Sequence, residues 1–427
     1  MRRLKKIVLW FFLSLLFLLV AVYIFIQTPY GQNWIGKQVT RRLSRDLQTK
    51  VTLQHIDFSL FNRMHLEGLL VEDRQGDTLL FAGDLSLRIT DWFFLRKSAE
   101  LKYVGLKNAL IQFQRTDSVW RQQFLFDHFA GPPVSADPAR KKKGITFDLR
   151  KVEMDHVVFR KRDDWLGEEL VVQVGALELE ADSLRLSAKR SRIRSLVISA
   201  PQVMIRNYPR RKPRGTATSQ TAATAATWNP GGMDLRIDAF QIVNGSFRTE
   251  KDARSPLPYF DGRHLAISGI RGMWRDVHFA GDSITAQMEL SARERSGIAI
   301  RQMKAAFTMT PRGMYFRDLD LRTDRSHLTN AIAMTYPDLT AMSDFIHAVR
   351  IEAIFDSSEV HSDDIAHFAP ALRSWNKSFA LSGTLRGRVD DWDARDLQIR
   401  SGSGTVFSGD LSMTGLPRMG TTFIACR

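Results

Sequence analysis

The sequence predicts a mostly β protein, in which an N-terminal transmembrane helix is followed by an elongated, repeating β-groove with a short capping helix. Three observations predict this fold. Apolar and polar residues alternate along many short segments, as they do in strands with one buried face. Gly, Asp, Asn and Ser cluster between these segments, as hairpin turns require. Residues 7–26 are apolar except for Ser14, and about twenty helical residues cross a hydrocarbon core of roughly 30 Å.

The N-terminal segment is predicted to be an uncleaved membrane anchor. The stretch after it, "QTPYGQNW", lacks the small-x-small pattern of a signal-peptide cleavage site. A basic tail at residues 1–6 precedes the anchor, which places the N-terminus in the cytoplasm and the rest of the chain across the membrane. The basic residues expected at the membrane interface are Arg2, Arg3, Lys5 and Lys6.

Residues 27–50 are predicted to form an amphipathic or capping helix. Its apolar residues recur every four positions, at Ile35, Val39, Leu43 and Leu47. One interpretation is a helix on the membrane surface with Trp34 at headgroup level. The other is a helix that closes the end of the following β-domain, and the sequence leaves both open.

From Val51 onward the chain is predicted to consist of β-repeats. A pattern at 104–114 returns at 196–206, which favours one recurring unit. The last repeat is predicted to be incomplete and to contain a helix at 362–375 with Ser362 as its N-cap. The predicted segments are repeat 1 at 51–129, a disordered loop at 130–144, repeat 2 at 145–208, a disordered loop at 209–232, repeat 3 at 233–340 and repeat 4 at 341–427.

Composition and motifs argue against several classes of function. The net charge of +15 is concentrated in the N-terminal tail and the two loops, so we predict no nucleic-acid partner. Cys426 is the only cysteine, which excludes an intrachain disulfide and cysteine-based zinc binding. No nucleotide-binding or hydrolase motif occurs, so we predict neither an enzyme nor a cofactor. Asp363 and His367 lie four residues apart on the predicted helix, but such a pair is typical of helix capping, and no metal site is predicted.

The remaining question is what covers the apolar side of strands such as 79–89. Helices are scarce, which leaves a second sheet, as in a closed sandwich without cargo, or a sheet curved into an open groove. A groove suits lipid tails, because exposing an acyl chain of about 16 carbons to water costs on the order of 13 kcal/mol. The residues predicted to line it are Leu79, Phe81, Leu85, Leu87, Ile89, Ile111, Phe113, Val203 and Ile205.

Three stretches carry a resemblance to a known family. Residues 28–89, "LKNALIQF" at 106–113 and residues 381–417 resemble the AsmA-like/TamB family. The resemblance implies a bacterial inner-membrane anchor, a periplasmic β-groove and a role in outer-membrane maintenance. For the family, that role is phospholipid transfer between the membranes or help in inserting outer-membrane proteins with a BamA-like barrel. The expected partners are therefore membrane phospholipids or such a barrel.

Overall fold

The computed structural model is mostly β and divides into two units, Met1–Arg162 and Asp163–Arg427. No helix among the residues described below has the length and apolar character needed to cross a membrane. The predicted anchor at 7–26 and its basic tail lie almost wholly outside those residues. The structure describes residues 17, 21, 24–25, 28–59, 63–89, 98–130, 144–185, 189–211, 227–251, 254–402, 404–416 and 421–427.

The first unit begins with helix α1, Pro29–Leu47. Thr28 caps it by accepting a hydrogen bond from the Gly31 amide, and Pro29 occupies the first turn, where its missing N–H is harmless. A second helix, α2, spans Gln123–Ala130 and was not predicted. The strands of this unit are β1 Val51–Thr52, β2 His55–Ser59, β3 Arg63–Glu72, β4 Thr78–Ile89, β5 Ser98–Arg115 and β6 Gly144–Asp163.

Strands β1 and β2 both pair with β3, and β3 to β5 pair antiparallel in chain order. One core of this unit joins the helices to the sheet: Leu47 of α1 and Phe124 of α2 are buried with Val71 and Leu79. A second core lies between strands and centres on Ala82, which is fully buried. Helix α1 therefore packs against the first strands of the sheet.

The second unit contains fourteen described strands. Strand β7 pairs with β8 and β9, and both of these run parallel to β10. From β10 to β20 each strand pairs antiparallel with the next. The strands are β7 Glu168–Leu184, β8 Arg190–Ser199, β9 Gln202–Asn207, β10 Asp234–Glu250, β11 Ala266–Ala280, β12 Ser283–Glu294, β13 Ala299–Thr310, β14 Gly313–Arg322, β15 His327–Thr335, β16 Arg350–His361, β17 Ser378–Arg388, β18 Asp391–Ser401, β19 Thr405–Thr414 and β20 Phe423–Cys426.

Every pair from β10–β11 to β18–β19 contains at least one register shift. Residues with a positive φ lie near several of these shifts, such as Asp318 at 51° and Asp396 at 51°. A β-bulge of this kind bends its strand and increases its twist. The bends recur from strand to strand across this sheet.

Two local predictions need correction. The helix predicted at 362–375 is two short pieces, α4 at Ser362–Ile365 and a 3₁₀ turn at Pro370–Ser374, because the residue before a proline disfavours helix. Its N-cap is His361 rather than Ser362, with the His361 ring accepting from the Asp363 amide. Another short helix, α3 at Phe345–Ala348, precedes β16. The segment "VNG" at 243–245 has residue types typical of hairpin turns but lies inside β10.

Candidate functional site

A continuous row of apolar side chains crosses the second unit from β10 to β20. Cross-strand partners in antiparallel sheets lie side by side on the same face. Eleven partners can therefore be followed from one strand to the next, and ten of them are apolar residues other than glycine. They are Leu235, Phe279, Ile284, Met309, Met314, Met334, Ile351, Gly387, Trp392, Met413 and Ile424.

A second apolar row runs beside the first. Its members lie two residues along each strand from the first row, so they share its face. We call the two rows together the apolar face. The second row contains Ala286, Phe307, Phe316, Ile332, Ala353, Leu385, Ala394, Leu411 and Cys426.

The large side chains of the apolar face are only partly buried, apart from Ile424, which is 55% exposed. In the second row only the alanines are buried, because their short side chains lie below the level of their larger neighbours. In a closed sandwich, side chains such as Phe316 and Met334 would be buried under a second layer. This face instead offers apolar side chains from which an apolar ligand could displace water.

Aromatic and aliphatic side chains pack together in and beside the apolar face. Phe307 and Phe316 are cross-strand partners with ring centroids 5.3 Å apart. Further along β10 and β11, Phe240 stacks on Trp274 at 5.0 Å. Leu319 is buried beside this group with Met288 and Ala305. The face is therefore held in place by contacts within the single sheet.

The opposite face of the same strands is richer in polar side chains. The residues between the two apolar rows lie on this side, because successive side chains of a strand lie on opposite faces. Charged residues of this row pair across strands. Arg386 lies 2.7 Å from Glu352, and Lys304 on a neighbouring row lies 3.6 Å from Glu289. The row contains Arg236, His278, Thr285, Thr308, Tyr315, Ala333, Glu352, Arg386, Asp393 and Ser412.

Charge pairing on the polar face lowers the pKa of Asp320, as it does that of Asp234 beside His278. The Arg322 guanidinium donates to Asp320 at 3.1 Å, and the His327 ring lies 2.8 Å from the same oxygen. Hydrogen bonding from Arg322 is the largest cause that lowers the pKa of Asp320, and His327 adds to it. Burial acts in the opposite direction but is outweighed. The polar face is thus adapted to water, in contrast to the apolar one.

In the first unit, the alternation predicted from Leu79 to Ile89 is interrupted at Gly83. Ala82 and Leu85 pack in the same core although they are three residues apart, which regular alternation does not allow. The neighbouring strands bend at the same level, since Gly68 and Asn108 both have a positive φ. On one face of β4, even-numbered residues before Gly83 are therefore followed by odd-numbered residues after it.

Because of this interruption, the predicted lining residues of β4 do not all lie on one face. Leu79 is buried in the core under α1 and α2 rather than on an open surface. Leu85 and Leu87 share one face, whereas Phe81 pairs with Leu70 and Leu110 on the other face. The side chain of Ile89 lies outside the described residues.

The remaining predicted residues fall in two places. Ile111 is the partner of Leu80, and Phe113 packs against the core under the helices. In the second unit Val203 pairs with Val172 and Phe247, and Ile205 pairs with Leu170 and Thr249. Both of these β9 residues are half-buried on one face. Within the first unit, the described lining candidates are therefore divided between a buried core and two faces of the sheet.

One membrane-interface candidate and the Asp363/His367 pair lie within the described residues. Trp34 is 57% exposed on α1, while the four basic residues of the tail lie outside the described part of the chain. Asp363 pairs with Arg325 at 3.0 Å, and the His367 ring lies 2.9 Å from the Ser296 carbonyl oxygen. Asp363 and His367 therefore each contact a partner outside the pair.

The rows of the second unit were missed as lining residues, although their alternation is visible in the sequence. Residues 284–290 and 303–309 each have an apolar residue at every second position. No protein-family model matches the chain, and no curated protein matches it.

Proposed function

We propose that this chain is an inner-membrane-anchored periplasmic β-groove protein that shields lipid acyl chains during phospholipid transfer between the inner and outer membranes. The apolar face carries the proposal: it is continuous over eleven strands, only partly buried and backed by a face richer in polar side chains. Strands are spaced about 4.8 Å apart, so the first row extends over roughly 48 Å. The apolar span at residues 7–26 and the resemblance to AsmA-like proteins support the membrane location.

The energetics favour a lipid as the occupant. Each CH₂ group removed from water contributes about 0.8 kcal/mol, so a chain that slides along the face stays sheltered throughout its path. Adjacent rows of similar apolar side chains offer no single deep site. Such a surface suits cargo that must move rather than cargo that must be held.

A second candidate function is assistance in the assembly of outer-membrane proteins with a BamA-like barrel. Its support is the edge of the sheet. Strand β20 pairs with Leu411–Thr414 only, so among the described residues the segment 405–409 of β19 has no strand beyond it. An unpaired strand edge can add a nascent strand by β-augmentation.

Site-specific photo-crosslinking in living cells of a diderm bacterium separates these functions. A benzophenone amino acid at Phe316 lies on the apolar face, and the same probe at the adjacent Tyr315 lies on the polar face. We expect a phospholipid adduct at position 316 that exceeds the adduct at 315 by about tenfold or more. Mass spectrometry of the purified protein identifies the adduct.

Two outcomes would contradict lipid shielding. Equal lipid labelling at 315 and 316 would show that the apolar face has no special access to acyl chains. Adducts with unfolded barrel precursors at 316, or at Val406 on the free edge, would support the assembly function instead. Met334 and Ala333 form a second matched pair for the same comparison.

A further inference from the structure

The polar side of the first unit collects the side chains that most often bind transition metals. Two neighbouring cross-strand rows meet there, and i and i+2 residues of each strand share this side. One row contains His55, Glu67, Asp84 and Lys107, and the other contains Asp57, His65, Ser86 and Gly105. Two histidines and three carboxylates therefore lie in adjacent positions on strands β2 to β4.

Three of these side chains converge, and we call them the triad: His65, Glu67 and Asp84. The Nε2 atom of His65 lies 3.3 Å from a Glu67 oxygen and 3.3 Å from an Asp84 oxygen. All three ligand atoms lie within 4.8 Å of one another. Two ligands that bind zinc at about 2.0–2.1 Å in a tetrahedron are separated by roughly 3.3 Å. The two nitrogen–oxygen distances match that edge length.

The imidazole of the triad is oriented through its other nitrogen. Its Nδ1 lies 2.9 Å from the Ser86 hydroxyl oxygen on the neighbouring strand. Metal-binding histidines are usually oriented by such a partner, which fixes the tautomer and directs the free lone pair at the ion. When Nδ1–H donates to Ser86, the lone pair of Nε2 faces two carboxylates, an arrangement that a cation stabilises.

The flanking residues of strand β2 are engaged by helix α1 instead. Gln32 donates to the Asp57 carboxylate at 3.2 Å, and the His55 ring contacts the Asn33 side chain at 3.2 Å. The triad is between one-third and one-half exposed, so an ion and a water molecule can reach it. The contact with helix α1 thus holds the His55 ring away from the triad.

We propose that His65, Glu67 and Asp84 form a zinc site that leaves the fourth position to a water molecule. A neutral imidazole and two carboxylates balance the charge of Zn²⁺, and nitrogen with oxygen donors suits this ion better than Mg²⁺ or Ca²⁺. The site would join β3 to β4 at the level where both strands bend.

The alternative occupant of the same geometry is a proton on His65, which would pair with both carboxylates without any metal. Lys107, the cross-strand partner of Asp84, adds another positive charge beside that carboxylate. A protonated triad predicts no zinc binding beyond that of other surface histidines. The chain contains ten histidines, so the test needs a matched histidine control.

Isothermal titration of zinc chloride into the full chain, purified without a polyhistidine tag, provides the test. We expect one site that His65→Ala abolishes and that Glu67→Gln or Asp84→Asn weakens about tenfold or more. The control His55→Ala should leave the zinc affinity unchanged, and magnesium chloride should give no binding at the same concentration. Circular dichroism establishes that each variant keeps its β-structure.

Cobalt substitution gives a second readout. Co²⁺ in a tetrahedral site should produce visible absorption bands that disappear in His65→Ala and persist in His55→Ala. The proposal is overturned if His65→Ala binds zinc like the unmodified chain. It is also overturned if His55→Ala loses as much zinc affinity as His65→Ala.

Discussion

At the scale of single residues, the bends of the sheet depend on residue types that accept a positive φ. Asp318, Asn244 and Asp396 all have φ values between 51° and 55°, a region where Asp and Asn are several-fold enriched. Ala200 has a φ of 49° without that advantage, directly before Pro201. The same polar residues that mark turns in a sequence therefore also mark bends within strands.

Asp261 is a buried carboxylate whose hydrogen bonds make folding sensitive to acid. The His264 ring lies 2.8 Å from it, and the amides of Arg263 and Leu257 donate at 3.0 and 3.2 Å. Burial pushes the pKa of Asp261 up, but these hydrogen bonds outweigh burial and hold the pKa below its ordinary value. The group therefore contributes stability above the pKa of an unfolded Asp, about 3.9, and that stability is lost as the pH falls through the lower folded value.

We predict that Asp261→Asn lowers the free energy of unfolding by about 1–3 kcal/mol at pH 7, because an amide cannot replace a carboxylate that accepts three hydrogen bonds. The difference from the unmodified chain should shrink below about pH 4, where the unfolded chain takes up a proton on Asp261 before the folded chain does. Urea unfolding at both pH values measures it. Asp276→Asn at an exposed position serves as the control. A deficit of equal size at pH 7 and pH 3 would contradict this account.

At the scale of elements, α1 is defined by its ends and by one apolar stripe. Leu43 and Leu47 of that stripe pack on the sheet, whereas Val39 is 48% exposed. The stripe predicted from the sequence is therefore divided between a buried end and an exposed middle. A helix alone cannot reveal this, because the division depends on where the sheet ends.

We predict that Leu47→Ala costs about 2–5 kcal/mol, because it opens a cavity between α1, α2 and β4. Val39→Ala, on the same helix, should change the free energy of unfolding by no more than about 0.5 kcal/mol. Chemical unfolding of both variants compares them. Equal effects would mean that α1 does not pack through its C-terminal end.

Hairpins could be predicted from the sequence only in part, and one tetrapeptide shows why. "FAGD" occurs at 81–84 and at 279–282. At 279–282 it forms a turn between β11 and β12, with Gly281 at a positive φ, whereas at 81–84 it lies within β4. The local residues are identical, so the flanking strands and their partners decide between turn and bend.

At the scale of the whole molecule, the abundance of strands and their amphipathic character followed from the sequence, and the face assignments did not. Alternation places residues on one face only while the strand stays regular. Each bulge reverses the phase, as it does between Ala82 and Leu85. The sequence pattern therefore predicted strands, but it did not predict which of their side chains share a surface.

Because the apolar face is open to water, we expect it to tolerate a charged substitution. Met334→Glu should cost at most about 1 kcal/mol, because the carboxylate keeps access to water. Leu319→Glu should cost about 3 kcal/mol or more, since Leu319 is only 3% exposed in the core of the same unit. Urea unfolding of the two variants makes the comparison. A comparable loss in both would indicate a covered face and would revive the closed sandwich.

The antiparallel order from β10 to β20 determines how the sheet can form during biosynthesis. Because each strand pairs with its predecessor, the sheet can lengthen as the chain emerges, one hairpin at a time, without waiting for a distant segment. A partly synthesised chain already holds every strand in its final place except the newest. Vectorial growth of this kind keeps only one nascent edge exposed at any moment during biosynthesis.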